Sequence, residues 1–207
     1  DITLLESLRS SEGGASYEAV NGADRKNEGD FQGFGGVLGV IEGKSEMYNY
    51  LAANDKLAFV NLEDPIQVEK TKTLNHYTFG VNKLEANVSV TAVTANPFVS
   101  VELEGLKIVS HLIGLYNANN INAALAIGKY FDVEDVAIKE ALESYIPENN
   151  RSQLLTKGTN QVILDAYNAN PSSMLVALEN FIQLDKKEKV IIIGDMFELG
   201  EESLEEH

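Results

Sequence analysis

Two hydrophobic periods follow one another along this chain, and no all-helical or all-strand fold accommodates both. In 86–92 (ANVSVTA) and 98–110 (FVSVELEGLKIVS) apolar and polar residues alternate, which places one set of side chains on a buried sheet face and the other on an exposed one. A turn near Asn96-Pro97 and a bend at Glu104-Gly105 divide these runs into strands that read as antiparallel. From Val37 to Leu51, by contrast, apolar residues at 37, 40, 41, 47, 48 and 51 recur at helical spacing. Two further helices are expected, one from about Asn117 to Tyr130. The other starts after Asp132, with Asp135 three residues on, and ends before Pro147. Residues 57–61 (LAFVN) read as a short strand closed by Glu63-Asp64-Pro65.

The C-terminal third carries a third pattern. Residues 161–166 (QVILDA) and 189–194 (KVIIIG) are short continuous apolar runs, the mark of strands buried on both faces. Between them a helix is expected to start at Pro171, capped by Asn170. Strand, crossover helix and strand in that order imply a parallel βαβ unit with a right-handed connection, so the fold class is α/β. Residues 147–151 (PENNR) mark a domain boundary. Three parts result: a loop-rich, unassigned stretch over 1–32, in which Ile2, Leu4, Leu5 and Leu8 predict a short helix, then domains over 33–148 and 149–207.

Composition narrows the function. The chain has 207 residues, enough to bury a core in one large domain or two small ones. Its 32 acidic residues against 16 basic ones give a formal charge of −16, a field that repels a phosphate backbone and argues against nucleic acid as a partner. No apolar run is long enough to span a membrane, and Asp1-Ile2-Thr3 does not open a secretory signal. The absence of cysteine removes disulfide and thiolate chemistry and fits a reducing cytoplasm. His76, His111 and His207 have no metal-ligand spacing, so a zinc site is not expected.

Ligands of parallel sheets gather at the carboxyl ends of the strands. Two polar loops are expected there: DAYNANP (165–171), with Asp165, Tyr167, Asn168 and Asn170, and DMFELG (195–200), with Asp195. They serve either a docked nucleotide or ordinary turn and cap chemistry. Asn117 and Asn120, three apart at a helix start after Gly114, could read a purine edge or simply cap the helix. Lys44 falls inside the apolar stripe of its helix. It either snorkels its ammonium to the surface or is placed at a site.

These segments together resemble the Mur ligase family. NNRSQLLTKGTNQVILDAYNANPSSM (149–174) and GDMFELGEES (194–203) are similar to the start of that family's C-terminal domain. GLYNANNINAA (114–124) resembles its G-x-H-N-x-x-N-x-x-A-A motif, with Tyr116 where histidine is common. GFGGVLGVIEGKSEMYNYL (33–51) resembles the segment bearing the family's carbamylated lysine, and VNLEDP (60–65) also fits. The resemblance implies part of the central ATP-binding domain followed by the start of a Rossmann-like C-terminal domain. It implies a monomeric, cytoplasmic ligase of peptidoglycan synthesis that uses ATP and Mg2+ to join D-alanyl-D-alanine to a UDP-N-acetylmuramoyl-peptide through an acyl-phosphate. On that pattern Lys44, as its carbamate, would be catalytic and hold the metal. Asn117, Asn120, Arg151 and Asp165 would bind the nucleotide, and Tyr167, Asn168 and Asn170 would line the substrate cleft.

Three departures accompany the resemblance. No segment reads G-x-x-G-K-[ST], the loop that cradles nucleotide phosphates. The family's N-terminal UDP-binding domain has no counterpart, and Asp30 stands where a metal-binding histidine belongs. The chain therefore reads as a partial ligase that would not turn over by itself. The alternatives are another Mur or folylpolyglutamate-type ligase, or a Mur-like module that binds nucleotide without catalysis.

Overall fold

The computed structural model describes residues 37–148, 150–167, 169, 171–196 and 204. The short helix expected near the N-terminus, Asp30, Asn168 and Asn170 lie outside them. By compactness the described residues form two units, one spanning Tyr48–Tyr167 and the other holding 37–47 and the described residues from 169 onward.

The first unit is built on two three-stranded sheets. Helix α1 (Val37–Ala53) leads through a tight turn into β1 (Leu57–Asn61), whose residues are buried from Ala58 onward. Asp64 then starts the short helix α2 (Pro65–Lys70), its Oδ1 accepting the amides of Ile66 at 3.0 Å and Gln67 at 3.1 Å. Pro65 occupies the first helical position, where no amide donor is needed. β2 (Asn75–Val81) lies parallel to β1, with Leu57 opposite Asn75 and Asn61 opposite Phe79, and β3 (Val88–Val90) lies parallel to β2.

The second sheet is antiparallel: β4 (Ala92–Ala95), β5 (Phe98–Leu103) and β6 (Leu106–Ile113) in that order. The bend at Glu104-Gly105 is a left-handed pair, with φ of 51° and 83°. The reading of 86–92 as an antiparallel strand needs correction at its first part, because β3 runs parallel in the first sheet and only β4 pairs antiparallel. β2 was not anticipated, although Tyr77, Phe79 and Val81 alternate; the polar Asn75-His76 start and the glycine between Phe79 and Val81 weaken that pattern.

A 3-10 turn (Leu115–Asn117) opens helix α3 (Ala118–Tyr130), which buries Ala118, Ile121, Asn122, Leu125 and Ala126. These are positions i, i+3, i+4, i+7 and i+8, one continuous face. That face joins Phe59, Phe79, Val88, Val90, Val99, Val101 and Ile108 in a single core. Complete burial of one such side chain stabilises by about 1.5–3 kcal/mol. Helix α4 (Asp135–Ser144) approaches α3 closely at Gly128, where a Cβ would meet Ile138 Cδ1 at 2.7 Å. Asp132 is not its cap: it takes a left-handed φ of 55°, and Glu134 precedes the helix without a side-chain capping bond.

The C-terminal segments depart most from expectation. Residues 160–164 are a strand, but not a buried parallel one. β7 (Gln153–Lys157) and β8 (Asn160–Leu164) form an antiparallel hairpin turned at Gly158, and Asn160, Gln161 and Val162 are exposed. Helix α5 (Pro171–Gln183) begins at the expected proline. Residues 189–194 form no strand, and Val190 and Ile192 are 80% and 93% exposed. The physical reason is the lack of a neighbour. A strand exists only through hydrogen bonds to another strand, and among the described residues none flanks 189–194. The expected βαβ unit is thus reduced to its first strand and its helix.

Candidate functional site

The densest arrangement of expected site residues lies where the 3-10 turn before α3 meets the β7–β8 hairpin. Gly114 takes a φ of 88°, open to glycine and strained for other residues. A Cβ there would lie 2.4 Å from the Tyr116 ring, so glycine is also what lets that ring fold back. The buried Asn117 does not cap α3. Its Nδ2 donates to the Ile113 carbonyl at 2.7 Å, and its Oδ1 accepts from Asn120 Nδ2 at 3.2 Å. Asn120 is exposed and spends one amide hydrogen on this bond. An exposed asparagine amide carries the donor and acceptor that can pair with the N6 and N7 edge of adenine.

Across from the turn, Ser152 is 3% exposed and gathers the site. Its amide donates to Asp165 Oδ1 and its Oγ to Asp165 Oδ2, both at 3.3 Å. The same Oγ is hydrogen-bonded to the Tyr116 hydroxyl. A serine has one hydroxyl proton, and a carboxylate can only accept. The direction follows: Tyr116 donates to Ser152, and Ser152 donates to Asp165. Burial holds the Tyr116 hydroxyl above its ordinary value; the bond to Ser152 works against that rise and the Asp165 charge adds to it.

Arg151 sits between two left-handed residues, Asn150 (φ 58°) and Ser152 (φ 50°). Such conformations cost non-glycine residues about 1–3 kcal/mol each and persist where surrounding bonds hold them. The holding bonds are present: the Ala166 amide donates to the Asn150 carbonyl at 2.8 Å, and Asp165 grips Ser152. The Arg151 guanidinium lies over the Tyr167 ring, 3.9 Å from its centroid, a cation–π contact. Its Nε is buried and has no hydrogen-bond partner among the described residues.

Six of the eight expected site residues can be placed. Asn117, Asn120, Arg151, Asp165 and Tyr167 belong to the first unit, where Asp165 and Tyr167 act on the Arg151 segment itself. Lys44 lies on α1, half-buried, at the i, i+4, i+7 spacing that puts it on the same helix face as the buried Tyr48 and Leu51. Among the described residues no three His, Cys, Asp or Glu side chains gather so as to hold a metal ion. Sequence reading missed Ser152, which no motif marks, and registered Tyr116 only as a departure from a pattern.

Comparison with known proteins places these residues in context. Residues 31–128 match the Mur ligase middle domain and residues 150–207 the glutamate ligase domain of Mur ligases. The chain belongs to the Mur ligase family. Among curated Mur ligases it is 29% identical over 182 residues to the UDP-N-acetylmuramoyl-tripeptide–D-alanyl-D-alanine ligase of Haemophilus influenzae, covering 85% of this chain and 39% of that protein. The crystal structure of MurF from Acinetobacter baumannii superposes with a TM-score of 0.69 at 26% identity, over 87% of this chain and 40% of that one. The MurF ligase of Thermotoga maritima, solved in complex with ADP, shares the fold with a TM-score of 0.67 at 22% identity, over 84% and 41% of the two chains. The chain therefore spans about two-fifths of the length of the Mur ligases it resembles. No helix among its described residues is long and apolar enough to cross a membrane.

Proposed function

We propose that this chain supplies the nucleotide-side part of a cytoplasmic ligase that joins D-alanyl-D-alanine to a UDP-N-acetylmuramoyl-peptide. The chemistry proceeds through an acyl-phosphate: ATP phosphorylates the peptide carboxylate, the D-alanyl-D-alanine amine attacks, and phosphate leaves. The observation that carries this reading is the placement of Asn120 and Arg151 in one unit, joined by the Asn117, Tyr116 and Ser152 bonds. One presents an amide edge suited to adenine, and the other a guanidinium suited to phosphate oxygens. The ADP complex of the Thermotoga maritima ligase supports nucleotide as the ligand class.

Each residue then has a defined task. Asn117 fixes Asn120, and Asn120 reads the base. Arg151 stabilises charge on the transferring phosphoryl group, a role that strengthens where water is excluded. Asp165 holds Ser152 and, being exposed, keeps acceptor capacity for the nucleotide. We assign Tyr167 to the stacking of Arg151, and Asn168 and Asn170 to the substrate cleft. We keep the domain division at 148/149 as part of this reading, with 1–32 unassigned.

Magnesium fits less well. The described residues offer no metal cluster, and Lys44 would need its carbamate to become a ligand. The alternative reading is a Mur-like module that binds nucleotide without catalysis. The experiment that separates the two is ADP release from a ligase of full family length containing residues 37–207. Release that requires both UDP-N-acetylmuramoyl-peptide and D-alanyl-D-alanine supports ligation. Nucleotide binding with no substrate-dependent release supports the non-catalytic module, and release with a different amino-acid acceptor assigns the chain to another branch of the family.

A further inference from the structure

Both carboxylate oxygens of Asp165 are occupied by Ser152, and the only proton on the Ser152 hydroxyl points to that carboxylate. The Ser152 oxygen is in turn capped by the Tyr116 hydroxyl, which arrives from a segment 36 residues earlier. These bonds converge on a single backbone feature, the left-handed pair Asn150 and Ser152, and that pair determines where Arg151 emerges. Arg151 needs such support. Its Nε makes no bond to any described residue, and its one described side-chain contact is the face of Tyr167. A stacked ring restrains the plane of a guanidinium but not its position along the ring.

We infer that Tyr116 is a positioning residue: through Ser152 it fixes the left-handed turn that carries Arg151, and so determines where that guanidinium meets the nucleotide phosphates. The inference rests on the nucleotide reading above only in its last clause; the control of Arg151 by Tyr116 stands on the hydrogen bonds alone. It also gives the tyrosine in the GLYNANN segment a physical reason, since its hydroxyl reaches the buried Ser152 that follows Arg151. Tyr116 adjoins Asn117, so one short turn serves both ends of the ligand: Asn117 orders the base-reading amide, and Tyr116 orders the phosphate-reading cation.

Two measurements on the 207-residue chain test this. The first needs no ligand: the water-exchange rate of the Arg151 Nε–H by 15N NMR, its resonance assigned by its loss in Arg151→Lys. The wild-type proton is shielded and should exchange at least about tenfold more slowly than free arginine. Tyr116→Phe, which removes only the hydroxyl, should bring it towards the free rate, and Ser152→Ala should do the same. Unchanged exchange in both variants would overturn the inference.

The second measurement is titration with ATP and with adenosine. Tyr116→Phe should weaken ATP by about 3- to 10-fold, the range for one lost hydrogen bond, and leave adenosine unchanged. In an Arg151→Ala background the same substitution should have no further effect on ATP. Equal weakening of ATP and adenosine, or additivity with Arg151→Ala, would show that Tyr116 acts through the Asn120 side and overturn the inference while the nucleotide reading survives. Failure of the wild-type chain to bind ATP, with faster Arg151 exchange in the variants, would overturn the nucleotide reading and leave the positioning role in place.

Discussion

Gly114 and Asn122 show how single residues carry opposite costs in this unit. Gly114 combines a φ of 88° with a Tyr116 ring 2.4 Å from where its Cβ would sit. Gly114→Ala should therefore destabilise the chain by about 1–3 kcal/mol, read as a lower urea midpoint with an unchanged slope. An unshifted midpoint would mean the Tyr116 ring does not depend on that space. Asn122 is completely buried on α3, and neither its Oδ1 nor its Nδ2 has a hydrogen-bond partner among the described residues. A buried amide without a partner costs about 1–3 kcal/mol, and an apolar group of similar shape removes that cost. Asn122→Leu is expected to raise the thermal midpoint. A fall of several degrees would show that the amide is bonded in solution.

At the scale of elements, one carboxylate ties α4 to β6. Glu143 Oε1 accepts the Val109 amide at 2.9 Å and the Lys139 ammonium at 2.6 Å, and Lys139 also reaches the Lys107 carbonyl. The bond to Lys139, then that to Val109, holds the Glu143 carboxyl below its ordinary value. A lowered value means that the ionised form is favoured in the folded state. The stabilisation is complete above the ordinary carboxylate range and is lost as pH falls through the depressed value. Amide exchange at Val109 should accelerate on acidification through that window, and Glu143→Gln should abolish this pH dependence. Because the pair is partly exposed, the stability lost is expected to be no more than about 1 kcal/mol.

Elements that carry their own period were legible in the sequence. The β5–β6 hairpin, with its alternation and its Glu104-Gly105 bend, and α3, with its buried face, needed no tertiary information. β7 and the fate of 189–194 were not legible, because both depend on a partner. β7 exists by pairing with β8, and Val190-Ile191-Ile192-Ile193 has the composition of a strand but no described neighbour. The site divides in the same way. Asn117 and Asn120 are readable as a spacing along one helix start. Ser152 acquires its role only when residues 36 positions apart meet, and no local pattern encodes that.

For the molecule as a whole, we propose that the Tyr48–Tyr167 unit is the nucleotide-recognising body, with base recognition at Asn120 and phosphate recognition at Arg151. The net charge of −16 works against any polyanion that lacks such a local cation. Isothermal titration of the chain with ATP and magnesium, beside an Asn120→Ala variant, tests that claim most directly. The account predicts saturable binding by the wild-type chain and a loss of at least about tenfold in the variant, the discrimination expected of one bidentate amide–adenine contact. Binding that the variant retains in full, or no binding by either, would contradict it.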